Sequence, residues 1–321
     1  MVSIAKGQFM ANKISGIIFL TIFIYVLSID NSSAHTQEDG KQAEWNPLSA
    51  GTLTTWTAPL CGKGKFVAQP FFFYNRTRGT FNSEGQYDSL PSGDKKYQYQ
   101  QQLFMQYGLT DRLEIDAQTV YQENFIKQGD FKAHSKGLGD SYLFLRYCGI
   151  EENNALPHIT GLFQLKFPTG KYQKLDPDKL GTDSMGASSG GGSYDPGFGI
   201  NLTKKIKPFI LHFDAIYSFP LERKIDNAKT KYARYLNYDF GLEYFLPKDF
   251  NLMLEFNGFL QGDKEQDGGK VPVSDIQYLT VATGIGWSCV KIQTLLAYQR
   301  TLTGTNTDAN DSFVLTFVYT F

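Results

Sequence analysis

The chain has 321 residues, of which 41% are hydrophobic, 15% aromatic and 20% charged, with a formal net charge of −1. The balance of acids and bases excludes the basic face that a nucleic-acid partner needs. Mean hydropathy is negative, but this does not exclude a membrane β-barrel, whose strands alternate apolar-out and polar-in and average to nothing.

In chain order, Lys6 and Lys13 precede an apolar run from Ile14 to Ile29, and Asp30-Asn-Ser-Ser-Ala34 follows with small residues at Ser32 and Ala34. Basic, then apolar, then small-x-small is the order of a secretory signal peptide, and the run is shorter than the roughly 20 residues a spanning helix needs. Cleavage after Ala34 leaves His35 as the first mature residue. Residues 35–64 form a polar segment, either a periplasmic tail or a plug entering a lumen. The expected organisation is therefore a signal peptide over 1–34, a tail or plug over 35–64 and a barrel over 65–321.

Twelve alternating runs of about ten residues follow, separated by turn residues. They are Lys65 to Asn75, Tyr97 to Gly108, Leu113 to Asn124, Ser141 to Cys148, Leu156 to Phe167 and Tyr194 to Thr203. Then come Pro208 to Phe219, Ala233 to Phe245, Phe250 to Gln261, Ile276 to Ser288, Val290 to Leu302 and Ser312 to Phe321. Short connections such as Leu109-Thr-Asp-Arg112 and Leu246-Pro-Lys-Asp249 alternate with long ones such as Arg76 to Lys96, Pro168 to Ser193 and Thr303 to Asp311. Short periplasmic turns and long outer loops are the pattern of bacterial barrels. Both termini then lie on the periplasmic side. A hairpin inside the first long loop would raise the count to fourteen. The Gly/Ser-rich stretch Gly181 to Ser193 reads as a mobile loop.

At the C-terminus Phe313, Leu315, Phe317, Tyr319 and Phe321 share one strand face, and the chain stops on an aromatic. An edge of that kind invites pairing with other chains unless the sheet closes on itself. A closed barrel in lipid removes the edge and gives the aromatic face its solvent. The expected fold is all-β: a transmembrane antiparallel up-and-down barrel of about twelve strands in the outer membrane of a Gram-negative cell. Its partners would be outer-membrane lipid and, through Phe321, the barrel-assembly machinery.

Three segments resemble the outer-membrane family associated with the meta-pathway of phenol degradation. They are Gly137-Leu-Gly-Asp140 leading to Leu145-Arg-Tyr147, then Leu165-Lys-Phe-Pro-Thr-Gly170, then Gly191-Gly-Ser-Tyr-Asp-Pro-Gly-Phe-Gly-Ile200. The resemblance covers roughly Lys65 to Phe321. It implies an outer-membrane barrel taking up small aromatic or other hydrophobic compounds, and it brings no catalytic residues.

Period-two reading then assigns faces. Asp195, Asp214, Asp239, Glu243 and Glu255 point inward from adjacent strands, together with His212. Arg146, His158 and Lys166 point inward from another part of the wall. Such charges cannot face hydrocarbon cheaply. They form either a selectivity filter of opposed acidic and basic walls or a structural ion-pair network that fills the lumen.

Other chemistry finds little support. His212 beside Asp214 is an inward pair and His158 is also inward, but no Gly-x-Ser-x-Gly exists and the reading is of lumen histidines rather than catalytic ones. No close His/Cys cluster suggests a metal and no phosphate-binding motif suggests a nucleotide, so no cofactor is expected. Cys61, Cys148 and Cys289 all map near the periplasmic rim, and whether any two pair stays open. The leading function is a passive outer-membrane channel for small, hydrophobic or aromatic solutes. The alternatives are a closed structural or surface-interaction barrel acting through its outer loops, and a membrane-embedded lipid hydrolase.

Overall fold

The computed structural model describes residues 47, 49, 51–170, 191–225, 227–289 and 291–321. The expected signal peptide and most of the Gly/Ser-rich loop lie outside these residues. In chain order the strands are β1 (Phe66–Phe81), β2 (Tyr87–Ser89), β3 (Lys95–Gly108), β4 (Leu113–Gln128), β5 (Phe131–Leu138), β6 (Ser141–Ile150), β7 (His158–Phe167), β8 (Asp195–Ile206) and β9 (Phe209–Ser218). They continue with β10 (Arg223–Ile225), β11 (Ala228–Lys231), β12 (Tyr235–Phe245), β13 (Phe250–Gln261), β14 (Glu265–Gln266), β15 (Gly269–Lys270), β16 (Ile276–Cys289), β17 (Ile292–Thr305) and β18 (Thr307–Thr320).

Twelve of these form a closed antiparallel ring in the order β1, β3, β4, β6, β7, β8, β9, β12, β13, β16, β17, β18, and β18 pairs back to β1 from Val67↔Thr320 to Phe81↔Thr307. Closure matters because a strand edge in hydrocarbon would leave its N–H and C=O groups without partners. β2 and β5 pair at the ends of β1 and β4, so they lengthen the wall and leave the ring at twelve. The short strands β10, β11, β14 and β15 make a separate four-stranded sheet from the connections that flank β12 and β13.

Three connections differ from expectation, the one between Asn124 and Ser141 because it holds the end of β4 and all of β5. The residues read as a long first loop are largely strand, since β1 runs on to Phe81 and β3 starts at Lys95. The residues read as the last long loop, Thr303 to Asp311, also belong to the sheet, with Asn306 alone between β17 and β18 at a φ of 49°. The β17–β18 ladder ends at Arg300↔Asp311, beyond which β17 stays on β16 and β18 stays on β1. Arg78 sits at this divergence, with Nη2 donating to the Thr301 carbonyl at 2.5 Å and Nε lying 3.6 Å from Asp311. Polar residues at strand ends look like loop in sequence because period two no longer distinguishes faces where both sides meet water.

The faces segregate. Leu103, Leu145, Phe163, Ile200, Leu296 and Phe313 are exposed on the outer surface. At the end of the barrel where the chain enters β1 and leaves β18, here the terminal end, Tyr107, Tyr147, Tyr244, Trp287, Tyr319 and Phe321 form an exposed aromatic girdle, as expected at a lipid–water boundary. The opposite end is the far end. Lys204 shows how a cation stays off the lipid face: its Nζ donates to the Asn153 carbonyl at 2.6 Å in the turn between β6 and β7.

Phe313 lies midway along β18 between Tyr74 and Tyr298. Phe313→Arg is expected to destabilise the barrel by about 2–4 kcal/mol, the cost of a cation at the bilayer midplane. The check is urea-dependent folding into lipid vesicles, and an unchanged midpoint would place this face away from lipid.

Candidate functional site

The inward face carries all nine charged or histidine residues singled out above. Arg146, Lys166, Asp195, His212, Asp214, Glu243 and Glu255 are each 7% exposed or less. Asp239 and His158 are half-buried. The register aligns Asn201, Asp214, Asp239 and Asn257 across β8, β9, β12 and β13. Acids and bases do not oppose each other across the lumen. Lys166 pairs with Asp195 on the next strand at 2.6 Å and lies 3.4 Å from Asp140. Arg146 pairs with Glu114 on the neighbouring β4 at 2.7 Å, with Asp116 at 3.8 Å.

Of the remaining acids, Glu243, Glu255 and Asp214 bond to Ser49 and to residues 51–61 of the same chain, while Asp239 accepts from Asn257 at 3.0 Å. This segment enters the barrel from the terminal end, crosses mid-lumen and returns to join β1. Ser49 donates to Glu243, whose other oxygen accepts from Asn251. At the crossing, the backbone N–H groups of Leu53, Thr54 and Thr55 all converge on the Glu255 carboxylate, at 2.7, 3.1 and 3.0 Å, and the Thr54 hydroxyl joins them. Successive main-chain N–H groups cupped around one anion form a nest. Trp56 N–H donates to Asp214 at 2.7 Å. Arg146 Nη2 donates to the Thr57 carbonyl. Ala58 is held from both sides, its N–H on Thr203 Oγ1 at 2.9 Å and its carbonyl accepting from Thr160 Oγ1 at 2.7 Å. Cys61 N–H donates to Glu114 at 2.6 Å. The inward carboxylates thus serve a segment that has no strand partner of its own.

Two apolar anchors complete the grip. Leu53, 3% exposed, packs on Phe71, Ala282, Ala297 and Val314 from β1, β16, β17 and β18. Trp56 meets Phe104 and Phe144 edge-on at 4.9 and 4.6 Å, and the Arg146 guanidinium lies 5.1 Å from its ring centroid, a cation–π contact. Gly241 opens room for the crossing, because a Cβ there would meet Thr52 Oγ1 at 2.6 Å.

Cavities lie on both sides of the crossing. The one toward the far end has a volume of about 730 Å³ and is lined by Gln98, Gln122, Tyr142, Asn237 and Tyr278 among others. The one toward the terminal end has about 680 Å³ and is lined by Pro47, Pro59, Cys61, Gln106, His212 and Gln293 among others.

His212 bridges Glu243 (Nε2 to Oε1, 2.8 Å) and Thr203 (Nδ1 to Oγ1, 3.0 Å). A hydroxyl–imidazole–carboxylate row of this kind invites a hydrolase reading. Here, however, the hydroxyl oxygen takes the Ala58 N–H, and all three side chains are 2% exposed or less. His158 Nε2 lies 3.2 Å from Cys148 Sγ. All three cysteines are free thiols. Burial, with the Glu114 and Asp116 carboxylates nearby, pushes the Cys61 thiol up to about 12. Among the described residues no group of three or more His, Cys, Asp or Glu converges as a metal site.

Sequence reasoning named the acids but missed what they hold. Leu53 and Trp56 are the large apolar side chains in a run of threonines, Thr52-Leu-Thr-Thr-Trp-Thr57. That contrast is the signal that marks a docked segment rather than a solvated tail. Glu255→Gln removes the charge that the nest surrounds and replaces one of its two acceptor oxygens with a donor, and is expected to loosen the crossing. With the native cysteines replaced by serine, a Thr52→Cys thiol should label slowly with a membrane-impermeant maleimide. Adding Glu255→Gln should speed labelling about tenfold; equal rates would show that the nest does not hold the segment.

A sequence model of the family described as "Putative MetA-pathway of phenol degradation" matches residues 99–317. An outer membrane channel from Pseudomonas putida F1 superposes with a TM-score of 0.66 at 17% identity, covering 87% of this chain and 100% of that one. The translocator domain of the autotransporter NalP from Neisseria meningitidis (TM-score 0.45, 10% identity, 81% and 90% covered) and the NanC porin (0.44, 9%, 78% and 98%) are more distant. No curated protein matches the chain in sequence.

Proposed function

The chain belongs to the phenol-degradation MetA-pathway family, and from that premise we propose that it is a passive outer-membrane channel for small solutes, held shut by its own residues 51–61. The observation that carries this reading is the pair of cavities inside the barrel, one on each side of the crossing of chain. The wall runs continuously around both cavities. Withdrawal of the segment toward the terminal end would join them into one water-filled path, down which a solute diffuses along its gradient. The short turns at the terminal end support a periplasmic side for both termini. The family's association with phenol breakdown supports small aromatic or hydrophobic solutes as the class. Phe321, 64% exposed and packed edge-on against Tyr319 at 4.5 Å, is the residue we assign to the barrel-assembly machinery.

The interior also supports a second reading. Paired charges and the apolar cluster around Leu53 fill much of the lumen, as in a closed barrel that acts through its outer extensions. Planar-bilayer conductance separates the two. The intact protein should pass little current. Deleting residues 51–61, or substituting Gly241→Leu to crowd Thr52, should raise mean conductance severalfold while the protein retains its heat-modifiable mobility. Equal, negligible currents from all three would leave the closed barrel as the answer.

A further inference from the structure

The cavity toward the far end is asymmetric. Its lining divides into two walls of different chemistry. β1, β3 and β4 contribute amides, among them Asn75, Gln98, Gln100, Gln122 and Asn124. They are tied into a ladder: Asn75 Nδ2 donates to Gln98 Oε1 at 2.8 Å, and Gln98 Nε2 donates to Asn124 Oδ1 at 2.8 Å. Each amide has two donors and two lone pairs, so bonds within the ladder leave capacity pointing into the cavity.

β12 stands six strands round the ring of twelve from β3, directly across the lumen. There Tyr235, Phe259 and Tyr278 put aromatic rings into the lining, beside Asn237 and Gln261. Phe259 and Tyr278 stack with centroids 5.2 Å apart and planes at 14°, and Tyr235 lies 5.5 Å from Phe259. The lysines at this cavity are already matched, Lys96 to Asp308 at 2.5 Å and Lys166 to Asp195 at 2.6 Å. A charged solute therefore meets ion pairs rather than a free counter-charge.

We propose that this cavity is a binding site for an uncharged hydroxylated ring, with its flat face on Tyr235, Phe259 and Tyr278 and its hydroxyl edge on the amide ladder. This deepens the channel reading and rests on it for its role, since the site would select the solute at the outer mouth. An arene or alicycle without hydroxyls gains the ring contacts but strips water from the amides without replacing its hydrogen bonds, and a site built to bond hydroxyls rejects such analogues. The required chemistry is shared by a sugar ring and by a hydroxylated aromatic ring.

The test is isothermal titration of the full-length protein in detergent with maltotriose, catechol and toluene. Saturable binding of at least one hydroxylated probe, about tenfold or more tighter than toluene, is expected. Binding of catechol alone assigns an aromatic source, and binding of maltotriose alone a carbohydrate source. Tyr278→Leu and Gln98→Leu should each weaken that binding about tenfold, with folding verified by heat-modifiable mobility. The wild-type ranking stands if a variant does not fold. Toluene binding as tightly as both hydroxylated probes, absence of saturation by either, or affinity untouched in both folded variants would overturn the proposal. Titration involves no flux, so a sealed bilayer with intact binding would sink the channel and spare the site, whereas current without binding would do the reverse.

Discussion

A carboxylate turned inward from a barrel strand must meet water, a cation or a hydrogen-bond donor, and here it meets the main-chain N–H groups of the protein's own N-terminal segment. That one demand organises the lumen. Glu255 gathers three successive N–H groups, Asp214 a fourth and Glu114 a fifth. The segment has the complementary need. As an irregular strip of chain it cannot pair as a strand along its length, and buried backbone groups without partners cost about as much as a lost hydrogen bond. Each side supplies what the other lacks. Ladder-like contacts come at the exit, where Gly64 N–H donates to the Gly108 carbonyl and Gly108 N–H donates to the Lys65 carbonyl.

The same demand separates the two kinds of lumen charge. Arg146 and Lys166 are satisfied by acids on neighbouring strands of the wall, and Arg146 additionally reaches the Thr57 carbonyl and the Trp56 ring. Asp214, Glu243 and Glu255 are instead committed to the segment, joined by Glu114, which takes the Cys61 N–H beside its Arg146 partner. A wall that carried matched pairs throughout would fill itself and need no plug. This wall is left with an excess of acceptors at mid-height, which is where the crossing occurs.

Fold and site were legible to different degrees in the sequence, for physical reasons. The ring of twelve was readable because lipid imposes period two on the outer face: Phe313, Leu315, Phe317 and Tyr319 on β18, or Leu252, Leu254 and Phe256 on β13, have to recur at alternate positions. The inward positions of Asp214, Asp239 and Glu255 follow from the same register. Strand ends were not readable, since Thr303 to Asp311 stands where both faces meet water and alternation carries no meaning. Nor was the role of the acids. Whether Glu255 faces solvent, a lysine or a backbone nest depends on contacts about 200 positions apart in the chain, and nothing in the local pattern records them. Gly241 illustrates the limit: in sequence it interrupts an alternating strand, and only the presence of Thr52 against it explains why a side chain is missing there.

The balance of forces on the segment decides whether it is a fixed filling or a gate. Each hydrogen bond to it exchanges with water on release, so its net worth is about 0.5–1.5 kcal/mol, rising somewhat where a carboxylate accepts. The cavities on either side of the crossing bring such water within reach. Burial of Leu53 and Trp56 is not exchanged in this way; fully buried Leu53 contributes about 1.5–3 kcal/mol of apolar transfer free energy, and half-buried Trp56 adds to it through its contacts with Phe104 and Phe144. The polar grip therefore sets where the segment sits, and it shares with the two anchors the cost of moving it. Taken together they amount to on the order of 10 kcal/mol, contributed by separate contacts rather than by a packed domain. A hold made of separate contacts can be loosened one contact at a time, by a substitution at Glu255 or by a ligand bound on one side.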